Sequence, residues 1–203
     1  MKDTKKLVTC GLLIAIIIIM SLTPLGFLKV GPLSITFLTI PVMIGAILLG
    51  PAVGALLGLA FGVMSFIGGS SLVLYIKSLN IFLTAITCIV PRVLMGFFCG
   101  CIFKWLKKPN SKSFVPFVIS ALSAPVLNTL FFMSALLMCF YTPVTEKYST
   151  VFSQAGGNII IFVAIFVGIN AVVEAVVCTI VGSAVSRGVY KSVKNTFVQE
   201  DKL

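Results

Sequence analysis

Long apolar runs, separated by short clusters of Gly, Pro and Lys, give this sequence its pattern. A membrane-crossing helix needs about 20 largely apolar residues, and the runs come in that length. The first covers residues 7–22 and stops at Thr23-Pro24-Leu25-Gly26. Residues 27–34, with Lys29, Gly31 and Pro32, read as a short loop. Residues 35–66 are apolar almost throughout, broken only by Gly50-Pro51. As one helix they would measure about 48 Å at 1.5 Å per residue, too long for a hydrocarbon core of about 30 Å. A reversal at Gly50-Pro51 splits them into two spans. Residues 67–80 contain Gly68-Gly69-Ser70-Ser71 and Lys77 and read as a long loop. The pattern therefore predicts an all-α integral membrane protein, a six-helix bundle with spans near 7–22, 35–49, 52–66, 81–106, 114–141 and 158–184. A tail over 185–203 completes one membrane domain covering 1–203.

Charge supports the even number of spans. Six spans place Lys2, Lys5, Lys6, Lys104, Lys107, Lys108, Lys112, Arg187, Lys191, Lys194 and Lys202 on one side, against Lys29, Lys77 and Lys147 on the other. Basic residues gather on the cytoplasmic side of short membrane loops, so both termini and the tail are expected in the cytoplasm. A five-span chain would put the basic tail outside. The net charge of +10 then needs no nucleic-acid partner, because loops facing an anionic inner leaflet account for it. The basic start followed by an apolar run also resembles a signal peptide, but no small-residue cleavage site follows. It reads as a retained first span.

Composition narrows the functional classes. The chain has 203 residues, of which 59% are hydrophobic and 10% charged, and its mean hydropathy is +1.19. Nothing remains for a soluble catalytic domain. With no histidine, imidazole ligands and bases are excluded. Cys99-Gly100-Cys101 is a lone C-x-C with no second pair, and the six cysteines sit mostly within apolar runs, so they read as small apolar residues. No metal or cofactor is expected. No G-x-x-x-x-G-K-[ST] phosphate loop is present, so ATP hydrolysis would have to come from a partner. Six short spans without a clear inverted repeat argue against a self-contained transporter.

Two small-residue patterns bear on packing. Gly54, Gly58 and Gly62 repeat every fourth residue and permit close helix approach within the chain. Gly11 and Ala15 form a shorter pattern of the same kind.

Ionisable groups within a membrane are expensive and point to function. Arg92 and Glu174 are the two here. Arg92, Asn128 and Asn170 fall near the middle of three different spans, at one depth, and Glu174 lies one turn beyond Asn170 on the same face. Thr84 and Cys88 share the Arg92 face, while Pro91 and Pro125 interrupt the backbone ladder nearby. One reading is an Arg92–Glu174 ion pair with asparagines bonding between helices. Another is a pocket for a small polar solute. A rival of a different class, an intramembrane enzyme using Glu174, lacks a partner base or metal set.

The stretches Thr23-Pro24-Leu25-Gly26-Phe27, Gly31-Pro32-Leu33-Ser34-Ile35-Thr36-Phe37 and Ile40-Pro41-Val42-Met43-Ile44-Gly45-Ala46-Ile47-Leu48-Leu49-Gly50-Pro51 resemble the substrate-binding S components of energy-coupling factor (ECF) vitamin transporters. Pro91-Arg92-Val93-Leu94-Met95-Gly96 and Asn170-Ala171-Val172-Val173-Glu174 are similar too. The likeness spans about residues 7–182, and the nearest subgroup is the pantothenate type. It implies six membrane helices and an outward-opening vitamin site covered by the loops 23–34 and 67–80. It also implies docking through the Gly11/Ala15 face, where the family usually has two alanines. The implied partners are a transmembrane coupling subunit and two ATPase subunits in a bacterial plasma membrane.

Pantothenate carries a carboxylate, two hydroxyls and an amide. Arg92 offers a planar charged fork for the carboxylate, and Asn128 and Asn170 both donate and accept. Glu174 is assigned to a solute hydroxyl or to orienting Arg92, Lys77 to steering or capping the anion, and Thr84 to the same lining. Riboflavin, pyridoxine and a hydroxymethylpyrimidine are the competing solutes.

Overall fold

A computed structural model of the chain describes residues 2–24, 26–30, 33–107 and 113–200. Leu25, Gly31, Pro32, Lys108, Lys112 and Lys202, named above, lie outside the described residues. In chain order the elements are α1 (Lys2–Leu22), β1 (Phe27–Val30), β2 (Leu33–Thr36), α2 (Thr39–Leu49), α3 (Pro51–Gly68), α4 (Ser71–Leu79), α5 (Ile81–Leu106), α6 (Val115–Lys147), α7 (Ser149–Gln154) and α8 (Ile159–Val177). A π-helical turn, Cys178–Gly182, then leads into α9 (Ser183–Glu200).

Among the described residues, five stretches are long and apolar enough to cross a membrane: Thr4–Leu22, Pro51–Gly68, Ile81–Leu106, Val115–Lys147 and Asn170–Lys191. With the short apolar α2 they make the all-α, six-helix membrane fold. Their outward faces carry large apolar side chains such as Phe82, Met138 and Ile180, as lipid-facing surfaces do.

The boundaries differ from expectation at four places. Residues 35–49 are not helical throughout: 35 and 36 belong to β2, and α2 has only 11 residues, about 16 Å of helix. The expected loop at 27–34 is largely a strand pair, with Phe27 opposite Thr36 and Leu28 opposite Ile35. Within the expected loop 67–80, α4 forms, started by Ser70 as its N-cap and ended at Asn80. The expected tail at 185–203 is helical through Glu200.

At Gly50 the chain turns with φ 100°, a value that favours glycine. Beyond the turn α3 lies back against α2. A Cβ at Gly45 would strike the Leu57 side chain, and one at Gly54 would crowd Ala46. The glycine repeat of α3 presses on α5: Gly54 faces the Gly96 carbonyl, Gly58 the Arg92 carbonyl and Gly62 the Ile89 Cα. Small residues let the two backbones approach this closely, and this contact sets the depth at which Arg92 stands.

Among the described residues, two apolar clusters form the interior. One joins Ile17, Val42, Met43, Leu57, Phe61 and Met95; the other joins Leu72, Ile76, Phe132, Leu136 and Phe162. Charges separate to the two ends. Lys107 stacks on Phe117 and Tyr190 while Arg187 covers Phe114, bringing the ends of α5, α6 and α9 together. Lys147 packs 3.5 Å over the Tyr75 ring of α4 at the other end.

Candidate functional site

A polar pocket lies where the two apolar clusters meet. Arg92 of α5, Asn128 of α6, and Asn170 and Glu174 of α8 all line it. The half-open pocket leaves about 60 Å³ to water-sized molecules, well above the roughly 10–15 Å³ that admits one water. Phe27, Ser34 and Thr36 from the strand pair and Ser70 and Val73 from the α4 region complete the wall. Both segments expected to cover a site therefore contribute to this one.

Arg92 owes its place to the residue before it. Pro91 sits inside α5, and its missing N–H leaves the carbonyl four residues earlier, that of Thr87, without a helical donor. Arg92 Nη1 donates to that oxygen at 3.1 Å. The guanidinium carbon lies 4.3 Å from the Phe132 ring centre and 5.5 Å from that of Phe61, so aromatic faces from both clusters hold it by cation–π attraction. The side chain is buried at 5% exposure, and its Nε has no hydrogen-bond partner.

The direct Arg92–Glu174 ion pair does not form. Glu174 Oε1 instead accepts from the backbone N–H of Thr36 at 2.5 Å and from the Thr36 hydroxyl at 3.2 Å. Its carboxylate thus ties β2 to α8, an arrangement that replaces the expected orienting of Arg92. Asn128 is buried with its Oδ1 unpartnered, and the Ser34 hydroxyl is likewise buried and unpartnered. Buried polar atoms are normally satisfied, so this cluster of unmet donors and acceptors marks a place for a polar solute or ordered water.

The segment carrying Asn170 and Glu174 is bounded by two irregularities. Gly168 has non-helical backbone angles, and the π-helical turn follows Val177. Beside that turn the Cys178 thiol and the Thr39 hydroxyl are 3.1 Å apart, and Gly182 packs on Met43. Such turns are common at functional sites.

Thr84 and Lys77 are outside the lining. Thr84 donates its hydroxyl to the Asn80 carbonyl at 2.7 Å. Lys77 folds back on the end of α3, 4.3 Å over the Phe66 ring. Sequence reasoning passed over Ser65, Thr129, Phe132 and Met133, which also line the pocket. Ser65 had a readable signal, since it lies seven residues after Gly58 on the small-residue face. Thr129, adjoining Asn128, was a second polar signal.

Gly11 and Ala15 stand on an exposed face of α1, and a Cβ at Gly11 would meet nothing within 4 Å. Close intramolecular packing therefore does not explain that small pair, in contrast with the α3 glycines.

Residues 5–186 match the family described as ECF transporter, substrate-specific component. The chain belongs to this family. It is therefore a multi-pass membrane protein and the substrate-binding subunit of an ECF transporter, not an enzyme. ECF S components bind a small substrate and work with an ECF membrane subunit and ATPases. Comparison with individual curated proteins gave no match.

Proposed function

We propose that this S component captures pantothenate outside a bacterial cell and delivers it, through an ECF coupling subunit and two ATPase subunits, to the cytoplasm. One observation carries the choice of solute: the buried guanidinium of Arg92 lines the pocket with its Nε unpartnered, while Glu174 is engaged by Thr36. A buried charge is costly unless paired, and a solute carboxylate supplies the partner. The unpartnered Asn128 Oδ1 and Ser34 hydroxyl suit its hydroxyls and amide, and Asn170 lines the same pocket. Riboflavin, pyridoxine and hydroxymethylpyrimidine lack that carboxylate.

Both termini face the cytoplasm in this reading, with the Lys107–Arg187 end inward and the strand pair and α4 outward. The exposed Gly11/Ala15 face of α1 receives the coupling subunit. Affinity isolation of the chain from native membranes, followed by mass spectrometry of proteins and small molecules, tests the proposal. Co-isolated ATPase subunits and bound pantothenate support it. A neutral vitamin in the isolate would overturn the solute assignment, and absence of ATPase subunits would overturn the assembly.

A further inference from the structure

A second cavity adjoins the polar one. It is a groove of about 360 Å³ between α6 and α8, lined by Pro125, Val126, Leu130, Leu137 and Val163 among others. Thr129, Met133 and Ala171 line both spaces. The two are therefore neighbours across one wall, and the wall contains a methionine. Met133 is buried at 3% exposure, and an unbranched thioether adapts its shape more readily than any other large apolar side chain.

Volume gives the groove its meaning. Sites that bury a drug-sized solute have about 300–1,000 Å³, whereas the half-open polar pocket leaves only about 60 Å³ to a water-sized molecule. A solute anchored at Arg92 needs more room than this, and the space across the Met133 wall is apolar.

We infer that the groove is the apolar half of the binding site, with Met133 as the movable partition between the halves. The solute is then an anionic amphiphile. Its carboxylate rests at Arg92, and its apolar portion passes Met133 to lie along α6 and α8. This rests on the reading of Arg92 as the carboxylate's partner. For pantothenate the geminal dimethyl group is the part that meets Met133, the hydroxyls on either side of it staying with the polar lining.

The test uses the full chain in phosphatidylcholine nanodiscs and the straight-chain carboxylates propanoate and heptanoate, with affinity read from melting shifts. The readout is the ratio of heptanoate to propanoate affinity. Each methylene entering an apolar site adds about a three- to fourfold gain, so the parent ratio is expected to exceed about tenfold. Leu130, 57% exposed on the lipid side of the groove, allows the groove to be filled from outside the core. Leu130→Trp is expected to bring the ratio within about threefold, and Met133→Ala to raise it. A parent ratio near unity, with both anions still requiring Arg92, overturns the groove while the anion reading stands. A large ratio that persists in Arg92→Ala means that the chains enter from the lipid, and it also overturns the inference. Failure of both anions and of pantothenate to bind overturns the underlying reading of Arg92.

Discussion

Arg92 donates to the carbonyl oxygen of Thr87, the acceptor that Pro91 leaves open in the same helix. The proline and the arginine thus work as a pair: one frees an oxygen at membrane depth, and the other satisfies it while its side chain faces the pocket. Phe132 and Phe61 hold the guanidinium from the two sides.

Replacing the proline tests that pairing. Pro91→Ala restores a backbone N–H that competes for the Thr87 oxygen. The expected result is a more stable α5 but weaker solute binding, by roughly 0.5–1.5 kcal/mol, the scale of one hydrogen bond. Thermal melting and calorimetric titration of the same sample separate the two effects. Unchanged affinity would mean that the Thr87 bond does not position Arg92.

Asn128 gives a cleaner separation of stability from binding. Its Oδ1 has no protein partner, so Asn128→Leu removes an unmet acceptor from the interior and should leave the melting temperature equal or higher. Affinity should fall by about 1 kcal/mol if the amide meets the solute. A fall in melting temperature with unchanged affinity would make Asn128 purely structural.

Glu174 and Thr36 join the strand pair to α8. Glu174→Gln keeps an oxygen that accepts from the Thr36 N–H, whereas Glu174→Ala removes it. Cleavage of the strand-pair region by an added protease should therefore rise strongly in the Ala variant and little in the Gln variant. Equal cleavage in both would show that the bond does not hold the strands.

The helices and the central polar residues were legible because each stands out against an apolar background. Arg92, Asn128, Asn170 and Glu174 are costly at their depth, so their presence alone singled them out, and all four line one pocket. The strand pair was not legible in the same way. Residues 33–36 alternate apolar and polar, but 35–49 also read as one apolar run, and helix length dominated. The partner of Glu174 is hidden for that reason, since Thr36 falls inside that apolar run. Thr84 and Lys77 show a different limit. Helical spacing gives the face of a side chain but not whether a nearer carbonyl or ring takes it first, as Asn80 and Phe66 do.

On α1, Gly11→Leu with Ala15→Leu should leave folding and solute binding intact, because the face is exposed and a Cβ at Gly11 meets nothing. Assembly with the coupling subunit and uptake should be lost, since bulky side chains prevent close helix approach. Co-purification and transport assays on the double variant check this, and normal assembly would contradict the docking assignment.

The central claim is that a solute carboxylate completes the charge of Arg92. Calorimetric titration of the purified subunit with pantothenate and with neutral pyridoxine, for the parent chain and Arg92→Ala, tests it most directly. The account predicts binding of pantothenate alone, weakened by about 2–5 kcal/mol in the variant, the scale for truncating one partner of a buried charge pair. Tight binding of pyridoxine with none of pantothenate, unaffected by Arg92→Ala, would contradict it.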